Sequence, residues 1–204
     1  NDFQKLCTVL ANGPPYFLNI LESIIDLPLE LPLNVINLIK QPLLESIQSD
    51  SNSNAFTIIT KVDGGLDVLL ILLRDAKLPV DRKLLIYELI HSTISTGKEF
   101  DLNIILEMLK TKYSSFSSDI VKRAFDSIVL LINEHLSELQ SKSITALVFE
   151  YASQHSDINI SLSALGQLWN LTSLFQSSDD WSYLFNELFE MFSDTRHDVA
   201  FGAI

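Results

Sequence analysis

The sequence predicts an all-α chain built from repeated helix pairs. Three observations carry this. Segments starting at Val80, Ile120, Ile160 and Val199 align as VDRKLLIYEL, IVKRAFDSIV, ISLSALGQLW and VAFGAI, at steps of 40, 40 and 39 residues. A second apolar segment precedes each, with Leu69, Leu109, Val148 and Leu188 at steps of 40, 39 and 40. No useful stretch alternates apolar and polar with period two, so strands are not expected. Two helical segments in a period of about 40 residues are the signature of a right-handed α-solenoid of HEAT or armadillo-type helix pairs.

The elements follow in order. Phe3, Leu6, Val9 and Leu10 have helix spacing, and Asn12-Gly13-Pro14-Pro15 ends that run. One helix is expected from about Pro15 to Asp26, with proline at its first turn, and another from about Leu33 to Gln48, kinked at Pro42. Residues 1–48 are therefore an irregular helical part. Residues 49–63 are a polar loop and connector, opening in the low-complexity run QSDSNSN.

Regular repeats are expected over 64–204. Their helix pairs are Gly65–Ala76 with Pro79–Ser95, Asp101–Lys112 with Ser118–Asn133, and Ser137–Gln154 with Asp157–Leu174. Asp180–Phe192 and a helix from Asp194 onward begin the fourth. Asp101, Ser118, Asp157 and Asp194 stand where an N-cap oxygen is wanted, and Gly97 where a helix should stop. Ala124, Ala164 and Ala203 recur four places into the last three rows; a small side chain there lets neighbouring helices approach closely. Neither end of the sequence has the polar character of a capping repeat, so a segment of a longer array is expected.

Composition narrows the function. Apolar residues make up 47%, enough to build a core, and 6 Gly and 6 Pro argue against low-complexity disorder. The formal charge of −12 opposes binding to nucleic acid, which needs clustered Lys and Arg. It equally opposes broad adhesion to an anionic membrane. The single cysteine, Cys7, supports neither an internal disulfide nor a thiolate metal site. No apolar run reaches the ~20 residues that span a bilayer.

Chemistry-bearing motifs fail one by one. Ser95-Thr96-Gly97-Lys98-Glu99 lacks the earlier glycine and the following Ser or Thr of a phosphate cradle. His91, His135, His155 and His197 form no metal-ligand pair. No G-x-S-x-G turn occurs. No enzyme, cofactor or metal site is expected. Acidic residues crowd the last fifth of the chain, where Asp198 lies, and could orient a basic partner. Trp169, four residues after Leu165, is expected in the core. Trp181, behind Asp179 and Asp180, either closes a helix start or anchors a partner.

The run from Asn159 to Asn170, NISLSALGQLWN, resembles the repeat of the MON-two family of Golgi and endosome trafficking scaffolds, relatives of the large Arf guanine-nucleotide exchange factors. The aromatic helix WSYLFNELFEMF (181–192) and the sequence Ser193 to Val199 continue the likeness. Asp194, Arg196 and Val199 match the family's D-x-R-x-x-V-R pattern, while Ala200 stands where that pattern has arginine. The likeness is specific over 157–204 and generic before it. It implies a non-catalytic scaffold, cytoplasmic and peripheral on trans-Golgi and endosome membranes, without the exchange domain. Implied partners are a Dopey-type protein, a lipid-flippase complex and Arf-like GTPases. Trp181, Asp194, Arg196 and Asp198 are the candidate partner-binding residues. The rival reading is a HEAT-repeat nuclear transport receptor or phosphatase-type adaptor, whose acidic inner surface the net charge would suit.

Overall fold

A computed structural model describes residues 65–96, 100–115 and 117–204 of this chain. Every element among them is helical. In order they are α1 (Gly65–Arg74), α2 (Val80–Ser95), α3 (Leu102–Met108), α4 (Thr111–Ser114), α5 (Ser118–Glu134), α6 (Ser141–Ser153), α7 (Ile158–Leu171), α8 (Ser178–Met191) and α9 (His197–Gly202). Short 3-10 turns follow α5 and α7. The expected helices of residues 1–48, the polar connector, Cys7 and the Gly97 stop lie outside the described residues.

The chain divides into two compact units, 1–89 and 90–204. In the first, α1 is apolar nearly all round and buries Val68, Leu69, Leu70, Leu72 and Leu73. Lys83 is buried too, and loss of hydration lowers its pKa.

The second unit is built by caps and small residues. Asp101 accepts the backbone N–H groups of Asn103 and Ile104 to start α3. Asp157 does the same for Asn159 at α7. At α5 the capping oxygen comes from Ser117, one residue before the expected Ser118. The helix expected over Asp101–Lys112 breaks in two: Leu109 closes α3 and Lys110, in extended conformation, restarts the chain as α4. Ala124 and Ala164 are fully buried and Ala203 nearly so, as close helix contact requires.

Neighbour relations are regular. α6 packs on its pair-mate α7 and on α8; α7 packs on α5 before it and α9 after it. Calling the first helix of each pair A and the second B, A meets A and B meets B one pair further along. Phe125 and Tyr151 join the layers, ring centres 5.7 Å apart.

Side-chain hydrogen bonds between successive pairs repeat the sequence period. The N–H and hydroxyl of Thr111 both donate to Glu150 Oε2, at 3.0 and 2.9 Å and 39 residues' separation. Ser141 Oγ donates to Asp180 Oδ1 at 2.7 Å, again across 39 residues. Tyr151 OH, fully buried, donates to the Leu109 carbonyl at 2.6 Å across 42 residues and is bonded to Ser114 Oγ at 3.0 Å.

Candidate functional site

Arg196 is the most heavily bonded side chain of the C-terminal region. Its Nε and Nη2 form a two-pronged pair with Asp194, at 2.9 and 2.6 Å. Its Nη1 reaches back 42 residues to the carbonyl of Gln154 and 35 to Ser161 Oγ, the latter at 3.1 Å. Its Nη2 also lies 3.4 Å from the carbonyls of Ala152 and Ser153. Those carbonyls end α6 and have no partner within the helix, so the guanidinium caps α6. Side-chain exposure is 16% for Arg196 and 12% for Asp194.

Asp194 therefore does not cap α9 as expected. Arg196 occupies the flanking position, and Asp194 accepts the Arg196 N–H at 2.8 Å in a local turn. The guanidinium holds its carboxyl well below the usual range, down to about 2.

Asp180 has a comparable role one helix earlier. It completes a capping box with Ser177 at the start of α8 and accepts the Ser141 hydroxyl of α6. The Ser141 and Ser177 hydroxyls hold its carboxyl down to about 2.

Trp181 is 42% exposed and belongs to an aromatic row. Phe175 meets it edge-on at 5.1 Å and Phe185 stacks on it at 6.2 Å. Phe189 and Phe192 form an edge-on pair at 5.4 Å. At 3.6 residues per turn, Trp181, Phe185, Phe189 and Phe192 fall within about 80° of arc on α8. All four are exposed. The helix that carries them has Asp179, Asp180, Glu187 and Glu190 and neither Lys nor Arg.

Of the four residues predicted from sequence, the structure brings Asp194 and Arg196 together. Trp181 stands on a different helix, and Asp198 is exposed on α9. The expectation that Trp169 is a core residue is corrected: it is 81% exposed. Its face of α7 meets α9, whose backbone at Gly202 sits against Leu162 and Leu165; α9 is six residues long.

The sequence reasoning missed Phe185 and Phe189 as surface residues. Their i, i+4 spacing after Trp181 was the available signal.

Beside the row, a shallow pocket between α6 and α8 is lined by Lys142, Thr145, Phe175, Asp179, Asp180 and Tyr183. Thr145 is buried there and its hydroxyl has no hydrogen-bond partner. His91 meets Ser127 Oγ and His135 meets Glu138, each through Nδ1. Among the described residues no cluster of His, Cys, Asp and Glu could hold a metal ion. No described helix is long and apolar enough to cross a membrane. The row is exposed apolar area on a helix whose charged residues are all acidic. No protein-family model, curated protein or solved structure matches the chain.

Proposed function

We propose that this chain is a protein-binding segment of a HEAT or armadillo-type α-solenoid, serving as a non-catalytic scaffold in vesicle-mediated transport between Golgi and endosomes. The observation that carries the array is the one-period step of its side-chain bonds: 39 residues for Thr111 to Glu150, 39 for Ser141 to Asp180, and 42 for Arg196 to Gln154. Bonds that step one period along the chain are what a stacked array produces. The trafficking role rests on the resemblance of residues 157–204 to the MON-two family. On that resemblance the scaffold is cytoplasmic and reaches trans-Golgi and endosome membranes through partners. Those are a Dopey-type protein, a lipid-flippase complex and Arf-like GTPases.

Trp181 is the docking candidate among the four predicted residues. Asp194 and Arg196 stabilise the fold on which it is displayed. Cross-linking and capture from cell lysate test the role, with a Dopey-type protein, flippase subunits or an Arf-like GTPase as the expected recovery. Recovery of nuclear-transport or phosphatase components without these would overturn it. The net charge of −12 favours the import-receptor alternative, and binding of a basic nuclear-localisation peptide would select it.

A further inference from the structure

α6 and α8 meet flank to flank, with Ser141 bonded to Asp180 and Phe149 edge-on to Tyr183 at 6.3 Å. The shallow pocket between them holds about 100 Å³. That is well below the roughly 300–1,000 Å³ of a site for a cofactor or drug-sized ligand, and suits the head of one side chain.

Thr145 is the floor of the pocket, the one lining residue that is buried. Its hydroxyl has no hydrogen-bond partner. Such a group costs free energy, so an entering donor gains by meeting it. A helical threonine has two χ1 wells open to it, and the hydroxyl can turn toward that donor. The rings of Phe175 and Tyr183 are walls. Each is packed edge-on against a further aromatic, Phe175 against Trp181 and Tyr183 against Phe149.

The charge of the site is negative. Asp179 and Asp180 line it against one cation, Lys142, which forms no ion pair with Asp179. The oxygens of Asp180 are taken up by Ser141, Gln176 and Ser177. Asp179 is exposed and, among the described residues, its carboxylate has no partner. Two further acids act on the Tyr183 wall: burial first, and then the carboxylates of Glu187 and Glu150, raise the pKa of its hydroxyl.

We propose that this pocket binds the guanidinium of an arginine presented by a partner protein. A guanidinium is planar, stacks on aromatic faces, is less strongly hydrated than an ammonium and carries its N–H donors in a rigid fork. Its faces would lie against Phe175 and Tyr183, one N–H would reach Thr145, and an outer edge would pair with Asp179. Anions are refused by the surrounding acids, and an ammonium would forgo the planar stacking. The small volume leaves the arginine backbone outside, where the α-carboxylate of a free amino acid would meet those acids. The pocket would have this preference whichever process the chain serves.

Titration of N-acetyl-arginine methylamide into the 204-residue chain, followed by NMR of the Thr145 methyl and Tyr183 ring signals, tests the site. Both signals should shift and saturate. Asp179→Asn and Thr145→Val should each weaken binding several-fold, and Lys142→Ser should tighten it by removing a like charge. The matching lysine derivative should bind several-fold more weakly and the glutamate derivative not at all. Absence of shifts at Thr145 and Tyr183, equal binding of the lysine derivative, or an affinity unmoved by both Asp179→Asn and Thr145→Val overturns the proposal. So does tighter binding of free arginine than of the capped form, which would mark a small-molecule site instead.

Discussion

Arg196 shows how one side chain can hold two helix pairs in register. It neutralises Asp194, caps the carbonyl end of α6 and touches Ser161 of α7. Arg196→Ala would leave Asp194 and those carbonyls unpaired in a largely dry site. A loss of about 3 kcal/mol is expected, read as a lowered urea midpoint with unchanged slope. Arg196→Lys keeps the charge without the planar fork and should recover only part of it. Asp194, Asp180 and Glu107 all have carboxyl pKa values lowered to about 2, below their unfolded values. The unfolded chain therefore binds more protons between the unfolded carboxylate range near 4 and the folded value of about 2. The stabilisation is fully present above that window and is lost as pH falls through it. Thermal melts from pH 5 to 2 should show this decline, and Asp194→Asn should flatten it. Thr145 is the opposite case: its buried hydroxyl is unsatisfied, so Thr145→Val should stabilise the chain by about 1 kcal/mol in denaturant titration.

At the scale of the helix, α7 carries Gly166 in its interior, where an added methyl group would meet nothing within 4 Å. Gly166→Ala should therefore stabilise by about 0.5–1 kcal/mol through helix propensity alone, visible as a higher melting temperature. The positions of α5 to α9 were legible in the sequence because the period and the recurring alanines agreed, while of the expected caps Asp157 serves α7 and Asp194 does not cap α9. Ile120, Ile160 and Val199 are buried as the alignment implies; Val80, the first row's member, is 48% exposed. What escaped was which neighbour covers which flank. Periodicity assigns Trp169 to the same side of α7 as Leu162 but cannot show that α9, which sits against Leu162 and Leu165 at Gly202, leaves Trp169 81% exposed. Arg196 stands among the candidate partner-binding residues in the sequence, and its capping role is hidden there because its carbonyl partners lie about one period away and are backbone atoms, which carry no sequence signal.

At the scale of the whole molecule, stability should grade along the second unit. α5 buries eight side chains, among them Phe125, Ile128 and Leu131, while α8 buries Leu184 and Met191. Hydrogen exchange followed by mass spectrometry should find amides of α8 and α9 opening before those of α5, α6 and α7. Uniform protection throughout would mean that the unit opens as one cooperative block instead.

The paired flanks of α6 and α8 have a consequence for how such a chain can grow. Copying a block of one full period in frame hands every new helix the same two neighbours that its template had. A block half a turn longer or shorter would swing Ser141-like hydroxyls away from Asp180-like carboxylates and Phe149-like rings away from Tyr183-like ones. Lengthening by duplication is thus tolerated in whole periods and penalised in fractions of one.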